Sequence, residues 1–245
     1  MHTPIPTLSG AFVAIWVALA GPVAAQVDAK AATPPHSPVV VELFTSQGCA
    51  SCPPADDWLA TMADSDEVIA LGLHVDYWDY LGWKDSFANA AFTARQKRYA
   101  KAAGARMIYT PQIIIEGADR VEGLRTDDIV SLIDAHAGQP DPVLLHLERR
   151  GNMVVIRAVA EPPLTRGAIV QLVRYLPEAM VQIERGENAG RLARHRNIVT
   201  EWTPVAEWAG TEPFELVAPV EGDQPVVVIV QETGPGPILA AARLR

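Results

Sequence analysis

Residues 39–54 read VVVELFTSQGCASCPP, a β-branched apolar run followed by a turn, a pair of cysteines and two prolines. The run VVVELF has strand length and the near-continuous hydrophobicity of a strand buried on both faces. Gly48 then leads through Cys49-Ala50-Ser51-Cys52 into PPADDWLATMA, which reads as a helix; Pro53 and Pro54 cost little in a first turn, whose N–H groups have no helical partner. The two cysteines of the chain therefore stand together between a buried strand and a helix start. A thiol there faces unpaired N–H groups and the positive end of the helix dipole, which favour its thiolate. That makes Cys49 the attacking nucleophile and Cys52 the thiol that resolves a mixed disulfide.

Two other readings compete. A bridge across two intervening residues closes a very small loop and removes little freedom from the unfolded chain, so it is a poor staple. Two thiolates can also hold copper(I) or half of a zinc site. Zinc needs two further ligands, for which His36 and His74 are nearest in sequence. No histidine follows Cys52, which excludes haem attachment through a Cys-x-x-Cys-His motif. Helix-start placement favours redox chemistry, with no resident cofactor or metal.

Moving outward, VIALGLHV (68–75) reads as a second buried strand. The Ala-, Arg- and Lys-rich half of the following segment reads as a helix ending at Gly104. QIIIE (112–116) is a third strand, entered through Thr110-Pro111, and 120–123 a short hairpin partner. Thr126 is an expected N-cap for the helix TDDIVSLIDAHA. The order strand, helix, strand, helix, strand, strand, helix predicts an α/β layer fold over 38–140. Past the turn residues 138–142, strand patterns dominate. VLLHLERR and MVVIRAVA flank Gly151-Asn152 like a hairpin, followed by AIVQLVRYL and PVVVIVQE. Residues 141–245 are expected to form a mainly antiparallel β domain, for which a sandwich is one arrangement.

The chain of 245 residues carries 20 Lys and Arg against 29 Asp and Glu, a formal charge of −9. The basic residues are dispersed, which argues against a nucleic-acid partner. The apolar run AFVAIWVALA (11–20), broken by Gly21-Pro22 and followed by Val23-Ala24-Ala25, reads as a signal peptide (1–25) cleaved after Ala25. It is shorter than a spanning helix requires. A flexible Pro-rich leader follows (26–37), and the expected location is secreted or periplasmic, without stable membrane insertion after cleavage.

With Thr110-Pro111 and QIIIE added to the dithiol, the sequence resembles the thioredoxin superfamily, whose folds place a cis-proline opposite the dithiol. Pro111 matches that position; an ordinary trans proline opening an edge strand is the alternative. The resemblance implies that Thr110 exposes backbone to a substrate strand beside Cys49. It also brings Glu42 forward, because such folds often carry a buried acid in the first strand that exchanges protons with the inner cysteine. An exposed face or a salt bridge is the other reading of Glu42. The strings VVVELFTSQGCASCPPAD, HVDYWDYLGW, YTPQIIIEG and RGENAGRLARHRNIV resemble the secreted bacterial family called domain of unknown function 1223. That resemblance implies a thioredoxin-like domain with an appended β region and brings no established substrate; the dithiol chemistry itself points to protein or small-molecule thiols and disulfides as partners.

Two further clusters stand out. Tyr77, Trp78, Tyr80 and Trp83 can wall the dithiol and bind a partner's apolar side chains, or simply pack locally. Arg185, Glu187, Asn188, Arg191, Arg194, His195 and Arg196 read as a polar, basic loop that either caps the site, contacts an anion or is merely solvated. A thioredoxin-like scaffold that binds a partner without catalysis completes the alternatives.

Overall fold

The computed structural model describes residues 1–2 and 36–245. The expected signal segment and most of the expected leader lie outside the described residues. From residue 39 the order is β1 (Val39–Thr45), α1 (Pro53–Met62), β2 (Val68–His74), α2 (Ala90–Ala102), β3 (Gln112–Ile115), β4 (Asp119–Glu122) and α3 (Thr126–Ala137). β5 (Val143–Arg150), β6 (Met153–Ala160), β7 (Ala168–Gln182), β8 (Leu192–Trp208), β9 (Phe214–Pro219), β10 (Val226–Glu232) and β11 (Ile238–Leu244) follow.

Eight strands form one mixed sheet in the order β11-β10-β7-β8-β2-β1-β3-β4, and β5, β6 and β9 form a second sheet. β1 pairs in parallel with β2 and antiparallel with β3. The link between the two halves of the chain is the parallel contact of β2 with β8, at Gly72 and Ile198. The strands on either side of the 138–142 turn are thus hydrogen-bonded into a common sheet, while β5, β6 and β9 alone make a separate layer.

Side-chain alternation explains the layers. In β1, Val40 and Phe44 join Phe92 and Tyr99 of α2, whereas Val39, Val41 and Leu43 join Ala55 and Leu59 of α1 and Ile129 of α3. In β10, Val227 and Ile229 belong to the α2 face, and Val226, Val228 and Val230 pack with Val154 and Ile156 of the second sheet. One face of the large sheet is therefore covered by α2, and the other by α1, α3 and the three-stranded sheet. This division decides which polar side chains can reach the dithiol.

Gly104 (φ 67°) is the left-handed residue that ends α2, just beyond Ala103. Two local expectations need correction. Arg125, not Thr126, is the N-cap of α3, and Thr126 is already helical. Leu192–Arg196 is strand, so the expected basic loop is confined to the β7–β8 tip at 183–191. Its strand character was masked because the inward positions of β8 include Ala193 and His195 rather than large apolar residues.

Candidate functional site

The polypeptide leaves β1 at Thr45 and turns tightly before α1. Cys49 N–H donates to the Ser46 carbonyl and Cys52 N–H to the Cys49 carbonyl. Gly48 allows this turn to lie against the aromatic segment, since a Cβ there would meet the Trp78 Cβ at 3.2 Å. Cys52 is the N-cap of α1, with Pro53 and Pro54 as its first two residues. Those prolines remove two N–H groups, which leaves the helix dipole and the Ser51 hydroxyl as the groups able to stabilise a thiolate when the pair is reduced. Cys49 and Cys52 are joined as a disulfide, with Cα atoms 5.4 Å apart. Both are buried, at 1% and 0% exposure.

Thr110 and Pro111 flank the pair, and their peptide bond is cis. Cys49 Sγ lies 3.7 Å from the Thr110 carbonyl oxygen, and the Ser51 hydroxyl is 3.4 Å from both that oxygen and Cys49 Sγ. Trp78 Nε1 donates to Thr110 Oγ1 at 2.8 Å, and Trp83 Nε1 donates to Gln47 Oε1 at 2.9 Å. Trp83 thus braces the dithiol turn directly, and Trp78 holds the Thr110 side chain beside it. Tyr80, in the short 3-10 turn Asp79–Leu81, is 80% exposed and makes no such bond.

Glu42 belongs elsewhere. It shares a β1 face with Val40 and Phe44, so its carboxylate points to α2 on the side of the sheet opposite α1. There Arg95 grips it with Nε at 2.6 Å and Nη2 at 2.7 Å, and the Tyr99 hydroxyl donates at 2.7 Å. The ion pair is fully buried. Arg95 is further stacked 3.7 Å over the Trp202 ring.

The buried acid on the dithiol side is Asp56. It lies four residues after Cys52, on the same helical face, and lines a small cavity with Ser46, Gln47, Asn188 and His195. Thr45 Oγ1 donates to its carboxylate at 2.8 Å. Burial pushes the Asp56 carboxyl up to about 7, against the opposing influence of His74 and of the Thr45 hydrogen bond. His195 Nδ1 stands 4.0 Å from Asp56 Oδ2. Burial, reinforced by His74, lowers the His195 ring to about 3, and its buried Nε2 has no partner among the described residues. A charged ring would require one for each N–H.

His74 Nδ1 lies 2.7 Å from Asp85 Oδ2, and the same oxygen accepts the Gln47 N–H at 2.7 Å. Burial alone would raise Asp85, yet His74 and the hydrogen bonds from His74, Gln47 and Phe87 hold it below the usual carboxylate range. His74 is thus committed to Asp85, and His36 is exposed beside Asp141. Among the described residues, no group of three His, Cys, Asp or Glu is arranged to hold a metal ion.

The β7–β8 tip supplies the cover. Asn188 Nδ2 donates to the carbonyls of Gln47 and Cys49, each at 2.9 Å, and Arg191 reaches Asp57 at 3.4 Å. Of the basic cluster, Asn188 contacts the dithiol turn, and Arg191 and His195 reach α1. Arg194 and Arg196 instead pair with Glu178 and Asp64. Asp56 is what the local pattern does not reveal, because its burial beside His195 depends on β8, about 140 residues away in sequence.

The site is a buried cysteine pair, held as a disulfide at the entrance of a helix in a mixed α/β fold. The chain belongs to the family described as protein of unknown function (DUF1223), whose model matches residues 40–231. It is similar to the crystal structure of a protein from Agrobacterium tumefaciens, at 34% identity and a TM-score of 0.73 over 85% of this chain and 94% of that one. It also resembles HBP35 of Porphyromonas gingivalis, at 13% identity and a TM-score of 0.63 over 85% and 75% of the two chains, a likeness of fold. No curated protein matches the chain. Among the described residues, no helix is long and apolar enough to cross a membrane.

Proposed function

We propose that this protein is an exported thiol–disulfide oxidoreductase of thioredoxin-like fold, acting on protein or small-molecule thiols and disulfides. The observation that carries the reading is the Cys49–Cys52 disulfide at the start of α1, with the Thr110 carbonyl 3.7 Å from Cys49 Sγ. The succession β1-α1-β2-α2-β3-β4-α3, with sheet order β2-β1-β3-β4, supports the thioredoxin-like assignment. Export rests on the apolar segment and small-residue site before Gln26, and a disulfide persists best in an oxidising compartment.

In the oxidised form, a substrate thiolate attacks Cys49 Sγ. A substrate–Cys49 bond forms, the Cys49–Cys52 bond breaks, and Cys52 leaves as thiolate. Asp56, protonated below pH about 7, is the nearby acid able to give that thiolate its proton. A second substrate thiolate then attacks the substrate sulfur of the mixed disulfide and releases Cys49. Two electrons pass from the substrate dithiol, which becomes a disulfide, to the cysteine pair. The same steps reversed reduce a substrate disulfide. Thr110 backbone and the Trp78 wall offer a place for a substrate strand, with Tyr80 free to contact its side chains; Trp83 holds the turn through Gln47.

The test is redox equilibration in glutathione and dithiothreitol buffers with thiol trapping, after metal content is measured. The expected result is one reversible two-electron transition between about −120 and −270 mV. Cys52→Ser should accumulate a glutathione adduct at Cys49, and Cys49→Ser should not react. A pair still oxidised below about −300 mV is structural, and tightly retained copper or zinc makes it a metal site; either result overturns the proposal.

A further inference from the structure

A cleft of about 630 Å³ opens on the α2 side of the large sheet, walled by α2, β7, β8 and the β10–β11 turn. That volume lies in the range of small-molecule sites. Its floor is polar and buried, formed by Arg95, Gln171 and Gln231. Each floor glutamine sits at a β-bulge: the β7–β8 register shifts between Val170 and Gln171, and the β10–β11 register between Val230 and Gln231. Bulges re-aim side chains and recur beside binding sites.

The donors of Arg95 are unevenly used. Nη2 meets Glu42, Tyr99 and Gln231, whereas Nη1, with two N–H groups, has only Gln171 Oε1 at 3.4 Å. A donor at the floor is therefore left over. Arg98 and Lys101 line the wall above it, and no ion pair forms at either among the described residues. The acidic residue in the cleft, Glu232, is held by Arg166 at 2.6 Å. The opposite wall, from Ile169, Pro204 and Pro235, is apolar.

The geometry points to a second binding site, for an organic carboxylate with an apolar body, its head among Arg98, Lys101 and Arg95 Nη1 and its body against Ile169, Pro204 and Pro235. A planar carboxylate matches a guanidinium donor pair. A neutral ligand leaves the cations without a partner, and a bare inorganic anion leaves the apolar wall wet. The site is independent of the dithiol, which lies on the opposite face of the sheet.

Isothermal titration calorimetry with octanoate, 1-octanol and inorganic phosphate tests this. Octanoate should bind saturably at one site, with octanol and phosphate each weaker by about tenfold or more. Arg98→Glu combined with Lys101→Glu should weaken octanoate by about tenfold or more while circular dichroism and thermal unfolding stay unchanged. Cys49→Ser should bind octanoate as the natural chain does, so that failure of the redox reading leaves this site standing. The inference is overturned if octanoate shows no saturable binding, if octanol or phosphate binds as well, or if the double variant keeps its affinity.

Discussion

Asp56→Asn should change how stability depends on pH while leaving the shape of the site almost intact, because asparagine keeps an oxygen to accept the Thr45 hydroxyl. The effect follows from two opposite shifts at one contact. In the folded protein Asp56 titrates near 7 and His195 near 3; unfolded, they titrate at about 3.9 and 6.5. Between pH about 4 and 6.5 the folded pair is a neutral acid beside a neutral imidazole, holding one proton on Asp56. The unfolded pair is a carboxylate and an imidazolium, also holding one proton. Equal proton counts mean that the pair adds no slope to stability in this window.

The substitution removes the acid and exposes the histidine contribution alone. The unfolded chain then binds one proton more than the folded chain, so stability rises with pH by about 1.4 kcal/mol per unit. From pH 4.5 to 6.0 the variant should gain about 2 kcal/mol relative to the natural chain. Other groups, including Glu116, which burial raises to about 7, act equally in both proteins and cancel. Urea unfolding with the disulfide intact, at several pH values, reads the difference directly. Parallel curves for the two proteins would refute the reasoning, since they would mean that Asp56 is ionised throughout. His195→Gln should give the mirror image, with stability falling by a similar amount as pH rises across that window.

Arg95→Met leaves Glu42 buried without its counter-charge and should cost about 3–5 kcal/mol in urea unfolding; a loss below about 1 kcal/mol would show that the pair is dispensable. Gly117→Ala forces a Cβ to within 2.7 Å of Gln231 Nε2 and 2.8 Å of the Gly236 carbonyl at a φ of +66°. It should lower stability by about 1–3 kcal/mol, and an unchanged melting temperature would contradict the packing described. Asn188→Ala removes both bonds from the β7–β8 tip to the dithiol turn. Reduction by dithiothreitol should accelerate by about threefold to tenfold, each 1.4 kcal/mol of lost cover being a factor of about ten; an unchanged rate would mean that the tip does not limit access.

The secondary structure that frames the dithiol was legible because its signals are local. VVVELF, the PPADDWLATMA helix and QIIIE each announce their element through composition and flanking turns, and β1, α1 and β3 follow them closely. The buried acid was not legible in the same way, and the reason is one of parity. Glu42 interrupts an apolar strand near the cysteines. Counting alternation from Val40 to Phe44 places it on the α2 face, where the buried helical positions Phe92, Arg95, Gln96 and Tyr99 include an arginine that requires an anion. Those two clues, read together, point to an ion pair across the sheet.

Asp56 carries no such local signal. In sequence it is an ordinary first-turn acid, adjacent to Asp57, and both suit the positive end of a helix. The two diverge because β8 returns over α1: Asp56 is buried with His195 beside it, while Asp57 is exposed and meets Arg191. β8 itself escapes pattern recognition, since Asn197 adopts φ 47° in mid-strand and Pro204 sits where the β7 pairing slips. An asparagine tolerates the left-handed region, and a proline is accommodated at a bulge, so neither forbids a strand. Together they interrupt the two-residue alternation by which a strand is recognised. The fold can therefore be read from segments of about ten residues, but the chemistry of the cysteine pair cannot. The groups that set its proton supply and its access come from segments about 140 residues apart, and the return of β8 over α1 brings them together.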